Sequence, residues 1–255
     1  MAKVAELSAP YANVMLGPRH GPDVCWRCFD LTNGARRCYH CARAGQWVDV
    51  MAPVSYCVGG EQLHHALAGY KRLAGEPARY LTVGLAAVLW RHLASHEQCL
   101  AWAAGVDTFE LVTTVPSSDR GRDERHPLHR LVGELVGPAR GRYERLLRRT
   151  DTPVHGHRFS ADRYAATREL QGSSVLLVDD TWTTGANAHS AATALKAAGA
   201  RRVAAVVIGR YLNREYGHND RRLRSVARPF DWDTCALCDS APGKPDSGGA
   251  PTAAG

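Results

Sequence analysis

The chain has 255 residues, a formal charge of +7 and an apolar fraction of 45%, which is typical of a globular protein with a buried core. No apolar run approaches the roughly 20 residues that a bilayer-spanning helix requires, so that class is excluded. The first residues also lack a continuous apolar segment of the signal-peptide type. We therefore expect a soluble, cytoplasmic protein.

Arginine supplies nearly all of the positive charge, since the chain has only four lysines. Twelve of the arginines fall between Arg120 and Arg168. The planar guanidinium matches phosphate oxygens better than an ammonium does. This concentration is compatible with a phosphorylated ligand or nucleic acid, although charge by itself favours a solvated arginine-rich surface.

The N-terminal part divides into a loose lead-in over residues 1–22 and a compact cysteine-rich module over residues 23–46. The module contains "CWRCFDLTNGARRCYHC", two Cys-x-x-Cys pairs separated by nine residues. Four thiolates so spaced can surround Zn²⁺ tetrahedrally, whereas a redox pair would stand alone near a βαβ unit. The spacing predicts a structural zinc site with four ligands: Cys25, Cys28, Cys38 and Cys41.

The main domain is expected over residues 47–238. In chain order, the apolar periodicity predicts a strand over 48–58, helices within 61–74 and 77–96, a buried strand over 109–116, a polar loop and then a helix over 127–136. Residues 137–168 show no clear pattern. A low-complexity tail over residues 239–255 is predicted to be disordered because it offers almost nothing to a core.

Residues 174–211 carry the fold class. They read as a buried strand, "SVLLVDD", a helix over 187–198 and a second strand, "RRVAAVVIGRY". A strand, a helix and a strand within about forty residues form a βαβ unit, which requires parallel strands. The sequence therefore predicts an α/β fold with a parallel sheet and a small N-terminal zinc-knuckle module.

Two adjacent carboxylates, Asp179 and Asp180, follow the first of these strands. They repel each other unless a cation or strong hydrogen bonds offset the charge. Ligands of open parallel sheets bind at the carboxyl ends of strands, and the free amides of the next helix favour an anion. Two carboxylates beside an amide cradle suit a sugar phosphate with a vicinal diol.

The stretch "VLLVDDTWTTGAN", residues 175–187, resembles the phosphoribosyl-diphosphate (PRPP) motif of the type I phosphoribosyltransferases. The resemblance implies that Asp179 and Asp180 hold the ribose hydroxyls as the catalytic acids. It also implies a binding site for the 5′-phosphate formed by Thr183, Thr184, Gly185, Ala186 and Asn187. Thr183 stands where the purine-salvage branch has an aspartate, so hypoxanthine–guanine salvage is not expected.

Residues 111–126, "LVTTVPSSDRGRDERH", resemble the family's pyrophosphate loop and the start of its flexible lid. This implies that Ser117, Ser118 and Arg120 bind the leaving diphosphate. A closing, arginine-bearing loop would neutralise charge that develops on that group. Mg²⁺ is expected as the cofactor that accompanies PRPP, with few direct protein ligands.

A third Cys-x-x-Cys pair, Cys235 and Cys238, makes only half a metal site. It could complete a second zinc site with histidines or with a partner chain, or remain as thiols. The two other cysteines, Cys57 and Cys99, are expected to be buried as small apolar residues.

An N-terminal double knuckle followed by a phosphoribosyltransferase domain resembles the ComF family of competence-related proteins, and "GYKRLAG", residues 69–75, resembles that family's basic helix–turn segment. Two functions follow from the resemblance. One is transfer of phosphoribose from PRPP to an unidentified acceptor, with Mg-diphosphate leaving. The alternative is a non-catalytic protein that binds PRPP or nucleic acid and acts with DNA-uptake or recombination partners. Basic and aromatic residues alternate around the cysteines, which mildly favours nucleic acid.

Overall fold

The computed structural model describes residues 1–43, 45–117, 126–153 and 158–238. Two of the residues predicted to bind diphosphate, Ser118 and Arg120, lie outside this part of the chain, as does the tail predicted over residues 239–255.

The strands are β1 (Leu16–Gly17), β2 (Val50–Val58), β3 (Leu111–Thr114), β4 (Leu147–Arg149), β5 (Tyr164–Ala166), β6 (Ser174–Trp182), β7 (Arg202–Leu212) and β8 (Arg228–Pro229). The α-helices are α1 (Ala2–Ala12), α2 (Tyr39–Arg43), α3 (Gln62–Arg72), α4 (Gly75–Ala103), α5 (Pro127–Arg130), α6 (Gly137–Arg140), α7 (Ala186–Ala197) and α8 (Asn219–Val226). A π-helical turn over Leu131–Leu135 continues α5, and a 3₁₀ turn spans Ala161–Arg163.

A six-stranded, mostly parallel sheet forms the centre of the molecule, in the order β3-β6-β7-β2-β1-β8. The strands β3, β6, β7 and β2 are parallel to one another, whereas β1 runs antiparallel to both β2 and β8. The apolar run of β6, from Val175 to Val178, is fully buried, because β6 has neighbours on both edges and layers on both faces. The predicted α/β class and the predicted βαβ unit are confirmed.

Helices cover the two faces of this sheet. The chain leaves β2 through α3 and α4 to reach β3, and leaves β6 through α7 to reach β7. These connections run in opposite directions along the sheet, so right-handed crossovers place α4 and α7 on opposite faces. Because these four strands are parallel, β2, β3, β6 and β7 all end at the same edge of the sheet. None of the described helices combines the length and apolar character that a membrane crossing requires.

The N-terminal segment, predicted as a loose lead-in, contains the helix α1. This helix contains Pro10 within its last turn and packs along α4. Tyr11 lies so close to Gly84 of α4 that a Cβ there would be 2.6 Å from the Tyr11 hydroxyl oxygen. A tertiary contact therefore stabilises a helix that its proline argued against.

Candidate functional site

A cleft of about 830 Å³ opens at the carboxyl ends of β3 and β6. Its size is that of a small-molecule site. Its polar lining includes His64, Lys71, Arg72, Ser117, His126, Asp179, Asp180, Thr181, Thr183, Thr184, Asn187 and Tyr211. Both predicted acids, all of the turn over residues 183–187 and the one described residue of the predicted diphosphate site therefore face a single cavity.

The acid pair sits at the floor of this cleft. The backbone N–H of Asp180 donates to Asp179 Oδ1 at 2.9 Å, and the Asp180 side chain is almost wholly buried. Asp180 Oδ2 lies 2.9 Å from Lys71 Nζ and accepts a hydrogen bond from the Tyr70 hydroxyl. The cation and the strong donor that the sequence required both come from the end of α3.

The two carboxyls have opposite protonation behaviour. Burial works against the charged form of Asp180, but the nearby Lys71 charge and the Tyr70 hydroxyl outweigh it and lower the pKa of Asp180. Burial, followed by the charge of Asp180, raises the pKa of Asp179 well above its usual range. Part of the Asp179 side chain still opens to the cleft. Asp179 therefore takes up a proton at a higher pH than Asp180 does, and with that proton bound the pair can both accept and donate hydrogen bonds.

The turn after β6 has a conformation that requires glycine. Gly185 has φ +81° and precedes the first residue of α7, which begins one residue earlier than predicted. A Cβ at Gly185 would lie 2.3 Å from the Trp182 ring. The Ala186 N–H donates to Thr184 Oγ1 at 3.3 Å, while Thr183 is exposed. The first amides of α7 and the threonine hydroxyls therefore border the cleft as an anion site.

Trp182 packs beneath this turn. It is 3% exposed, and its ring meets the His189 ring edge-on at 5.5 Å. Its Nε1–H is buried and has no hydrogen-bond partner within the described residues.

The opposite wall carries Ser117 and His126, which flank residues 118–125. His126 Nδ1 accepts from the Leu128 N–H at the start of α5, and its ring stands edge-on to Tyr70 at 6.3 Å. Sequence reasoning did not single out His126. Likewise, "GYKRLAG" is basic, but nothing within it indicates that Tyr70 contacts an acid 110 residues away or that Lys71 pairs with the same acid.

The four cysteines predicted as zinc ligands converge. Their sulfurs all lie within 4.8 Å of one another, with Cys28 and Cys38 Sγ 3.6 Å apart, and all four are buried. A tetrahedral Zn²⁺ with bonds of about 2.3 Å separates its sulfurs by about 3.8 Å. This cluster can therefore hold a metal such as zinc.

Arg210 of β7 connects this cysteine cluster to the cleft. It is 2% exposed and lies 2.9 Å from Asp30. Its guanidinium donates to the carbonyl oxygens of Cys28 at 2.8 Å and Trp182 at 3.1 Å. One buried side chain thus holds the first knuckle against the strand that ends in the acid pair.

The other cysteines give two outcomes. Cys57 is fully buried in β2, as predicted. Cys99 is only partly buried and lies with His96, Cys235 and Cys238 in a second group of possible metal ligands, so its prediction as a core residue is wrong. One of the alternatives predicted for Cys235 and Cys238 was a metal site completed by histidines, and His96 does lie beside them.

Two comparisons of the chain with known proteins give no match. No protein-family model matches the chain, and the search of curated proteins gives no match.

Proposed function

We propose that this protein is a type I phosphoribosyltransferase of the ComF kind, which binds PRPP and transfers its phosphoribosyl group to an acceptor. The observation that carries the proposal is the adjacent Asp179–Asp180 pair beside the glycine-dependent turn at the end of β6, within one cleft. A vicinal diol and a phosphate, joined by a short ribose, fit these two adjoining features.

In this proposal each wall of the cleft takes one part of PRPP. Asp180 accepts hydrogen bonds from the ribose hydroxyls, and Asp179, whose pKa is raised, can donate one. The amides of residues 184–187 bind the 5′-phosphate. Lys71 and Ser117 lie on the side left for the diphosphate.

Transfer would proceed at C1 of the ribose. The acceptor nitrogen forms a bond to C1 as the bond from C1 to the diphosphate oxygen breaks, and the electron pair leaves with the diphosphate. Mg²⁺ bound to the ligand oxygens would neutralise the charge that this group gains. The acid pair would help to balance the positive charge that develops on the ribose, and the anionic groups of PRPP suit the basic side chains Lys71 and Arg72.

Calorimetric titration with PRPP in the presence of Mg²⁺ tests the proposal. The double variant Asp179→Asn/Asp180→Asn should lose PRPP binding while keeping its metal content and circular dichroism. The matched control Glu134→Gln/Asp220→Asn likewise converts two carboxyls to amides, on partly exposed side chains outside the cleft, and should bind as the wild type does. Unchanged affinity in the cleft variant refutes the site. Binding without diphosphate release, over a screen of nucleobases, favours the non-catalytic alternative.

A second candidate, nucleic-acid binding, has its own observation around the cysteine cluster. Trp26 is 53% exposed and Tyr39 is 64% exposed. Arg36 lies 5.7 Å from the centroid of a Trp26 ring, and Arg43 lies 4.2 Å from that of Tyr39. Exposed rings paired with guanidinium groups suit stacked bases of single-stranded DNA. The variant Trp26→Ala/Tyr39→Ala should then weaken binding of a labelled oligonucleotide, with a steep salt dependence in the wild type.

A further inference from the structure

A second cluster of metal-ligand side chains lies at the far end of α4, separate from the cleft and from the first cysteine cluster. His96 and Cys99 are three residues apart on α4, so they share one helical face. Cys235 and Cys238 approach them from the segment that follows β8. The four donor atoms all lie within 4.8 Å of one another.

The measured separations match the edges of a metal-centred tetrahedron. Cys238 Sγ lies 3.4 Å from Cys235 Sγ, 3.9 Å from Cys99 Sγ and 3.6 Å from His96 Nδ1. Zinc bonds of about 2.3 Å to sulfur and 2.0 Å to nitrogen give edges of about 3.8 Å and 3.5 Å. None of the eight cysteines, all within the described residues, forms a disulfide. A redox pair of Cys235 and Cys238 would leave the approach of the other two ligands unexplained.

The imidazole is held in the orientation that a metal ligand needs. His96 Nε2 lies 2.8 Å from the Trp232 carbonyl oxygen. A carbonyl can only accept, so Nε2 carries the proton and Nδ1 presents its lone pair to the sulfurs. A second hydrogen bond of this kind to a backbone carbonyl is the usual support of a metal-bound histidine.

Backbone amides support the sulfurs in turn. The Cys235 N–H donates to Cys238 Sγ at 3.1 Å, and the Leu237 N–H donates to Cys235 Sγ at 3.3 Å. Cys235 and Cys238 are each 5% exposed and His96 is 6% exposed. Donors aimed at buried sulfurs stabilise thiolates, the form that binds a metal.

We propose that His96 Nδ1 and the thiolates of Cys99, Cys235 and Cys238 form a second structural metal site of the zinc type. The site clamps the segment over residues 230–238 to α4. The segment also has other contacts: Arg91 lies over the Trp232 ring, Arg19 donates to Thr234, and Ala236 and Leu237 are buried in the main core. The metal would add direct bonds between α4 and both ends of the stretch 235–238.

The first test is the zinc content of the purified wild-type protein, by elemental analysis and by native mass spectrometry. Two zinc ions per chain are expected. The variant Cys235→Ser/Cys238→Ser should retain one, and the matched control Cys57→Ala, a buried cysteine outside both clusters, should retain two. One zinc per wild-type chain, or two in the cluster variant, overturns the proposal. So does a Cys235–Cys238 disulfide in protein purified under reducing conditions.

A measurement on the wild type alone covers the case in which the variant does not fold. X-ray absorption at the zinc edge reports the mean number of sulfur ligands per ion. A four-sulfur site together with a three-sulfur, one-nitrogen site gives a mean of three and a half. A mean of four, with no nitrogen, contradicts the second site. The variant His96→Cys should keep both zinc ions and raise the mean to four.

Discussion

At the scale of single residues, Asp179 is a carboxyl whose place in the cleft costs stability. Burial and the adjacent Asp180 raise its pKa above that of an unfolded chain, which is about 4. The folded protein therefore binds more protons than the unfolded chain between about pH 4 and the raised pKa. Its free energy of unfolding should fall as the pH rises through that range.

Asp179→Asn removes this penalty while keeping an oxygen for the Asp180 N–H. At pH 8 the free energy of unfolding of the variant should exceed that of the wild type by on the order of 1 kcal/mol, so its urea midpoint should be higher. This difference in free energy should narrow towards pH 5. Urea titrations at several pH values measure the difference. The control Asp162→Asn removes an exposed carboxylate and should change stability by less than about 0.5 kcal/mol. A gap that widens at low pH contradicts the assignment.

Gly185 offers a second prediction at this scale, because two separate costs meet there. Gly185→Ala would force a side chain to φ +81° and press its Cβ into the Trp182 ring. Gly172→Ala at φ +82°, where nothing lies within 4 Å, isolates the backbone cost. We expect losses of about 1–2 kcal/mol for Gly172→Ala and about 2–4 kcal/mol for Gly185→Ala. Equal losses in thermal unfolding would show that the ring simply moves away.

At the scale of elements, the sequence predicts what is contiguous along the chain. The strand β6, its acid pair, the turn and α7 follow one another within 24 residues, so their order along the chain is enough to define one half of the cleft. The other half contains Tyr70, Lys71 and His126. These residues follow β2 and β3, and they meet the first half only because the parallel sheet places the ends of β2, β3 and β6 at one edge. Their roles could not be read locally, although two adjacent acids did require a cation.

Two other elements were hidden for physical reasons. Pro10 argued against α1, which its packing on α4 nevertheless stabilises. The second cluster consists of two pairs of ligands, and more than 130 residues separate one pair from the other. Only the fold shows that the pair on α4 faces the pair after β8. Spacing rules find a metal site whose ligands are close in sequence, as in the first cluster, and miss one assembled by topology.

Arg210 supports a prediction about how elements are joined. Arg210→Met removes one donor each from the carbonyls of Cys28, Trp182 and Tyr211 and removes the ion-pair partner of Asp30. Because the acceptors are buried, we expect a loss of about 3 kcal/mol in the free energy of unfolding, by urea titration. The control Arg224→Met removes an exposed i,i+4 pair with Asp220 and should cost less than about 0.5 kcal/mol. A loss as small as the control's would mean that packing alone joins the knuckle to β7.

At the scale of the whole molecule, the cysteine cluster is part of the main core. Its four cysteines belong to the same buried cluster as the residues of β2, β6 and β7. Arg210 and His189, whose Nδ1 accepts from the Val48 N–H at 3.4 Å, connect the same layers. Loss of a metal bound there should therefore destabilise the sheet and the cleft as well as residues 23–46.

Cys25→Ser/Cys28→Ser tests this coupling. The variant should lose one zinc per chain and unfold in a single transition at a lower temperature than the wild type, because an independent module would give two transitions. Calorimetric unfolding of the two proteins makes the comparison. Cys235→Ser/Cys238→Ser is the matched variant at the second cluster. Its cysteines also lie in the main buried cluster, but the variant leaves the contacts of Arg210 with Cys28 and Trp182 intact, so the main transition should shift less. Two separate transitions, or no shift of the main transition in Cys25→Ser/Cys28→Ser, would show that the first cluster is not coupled to the sheet.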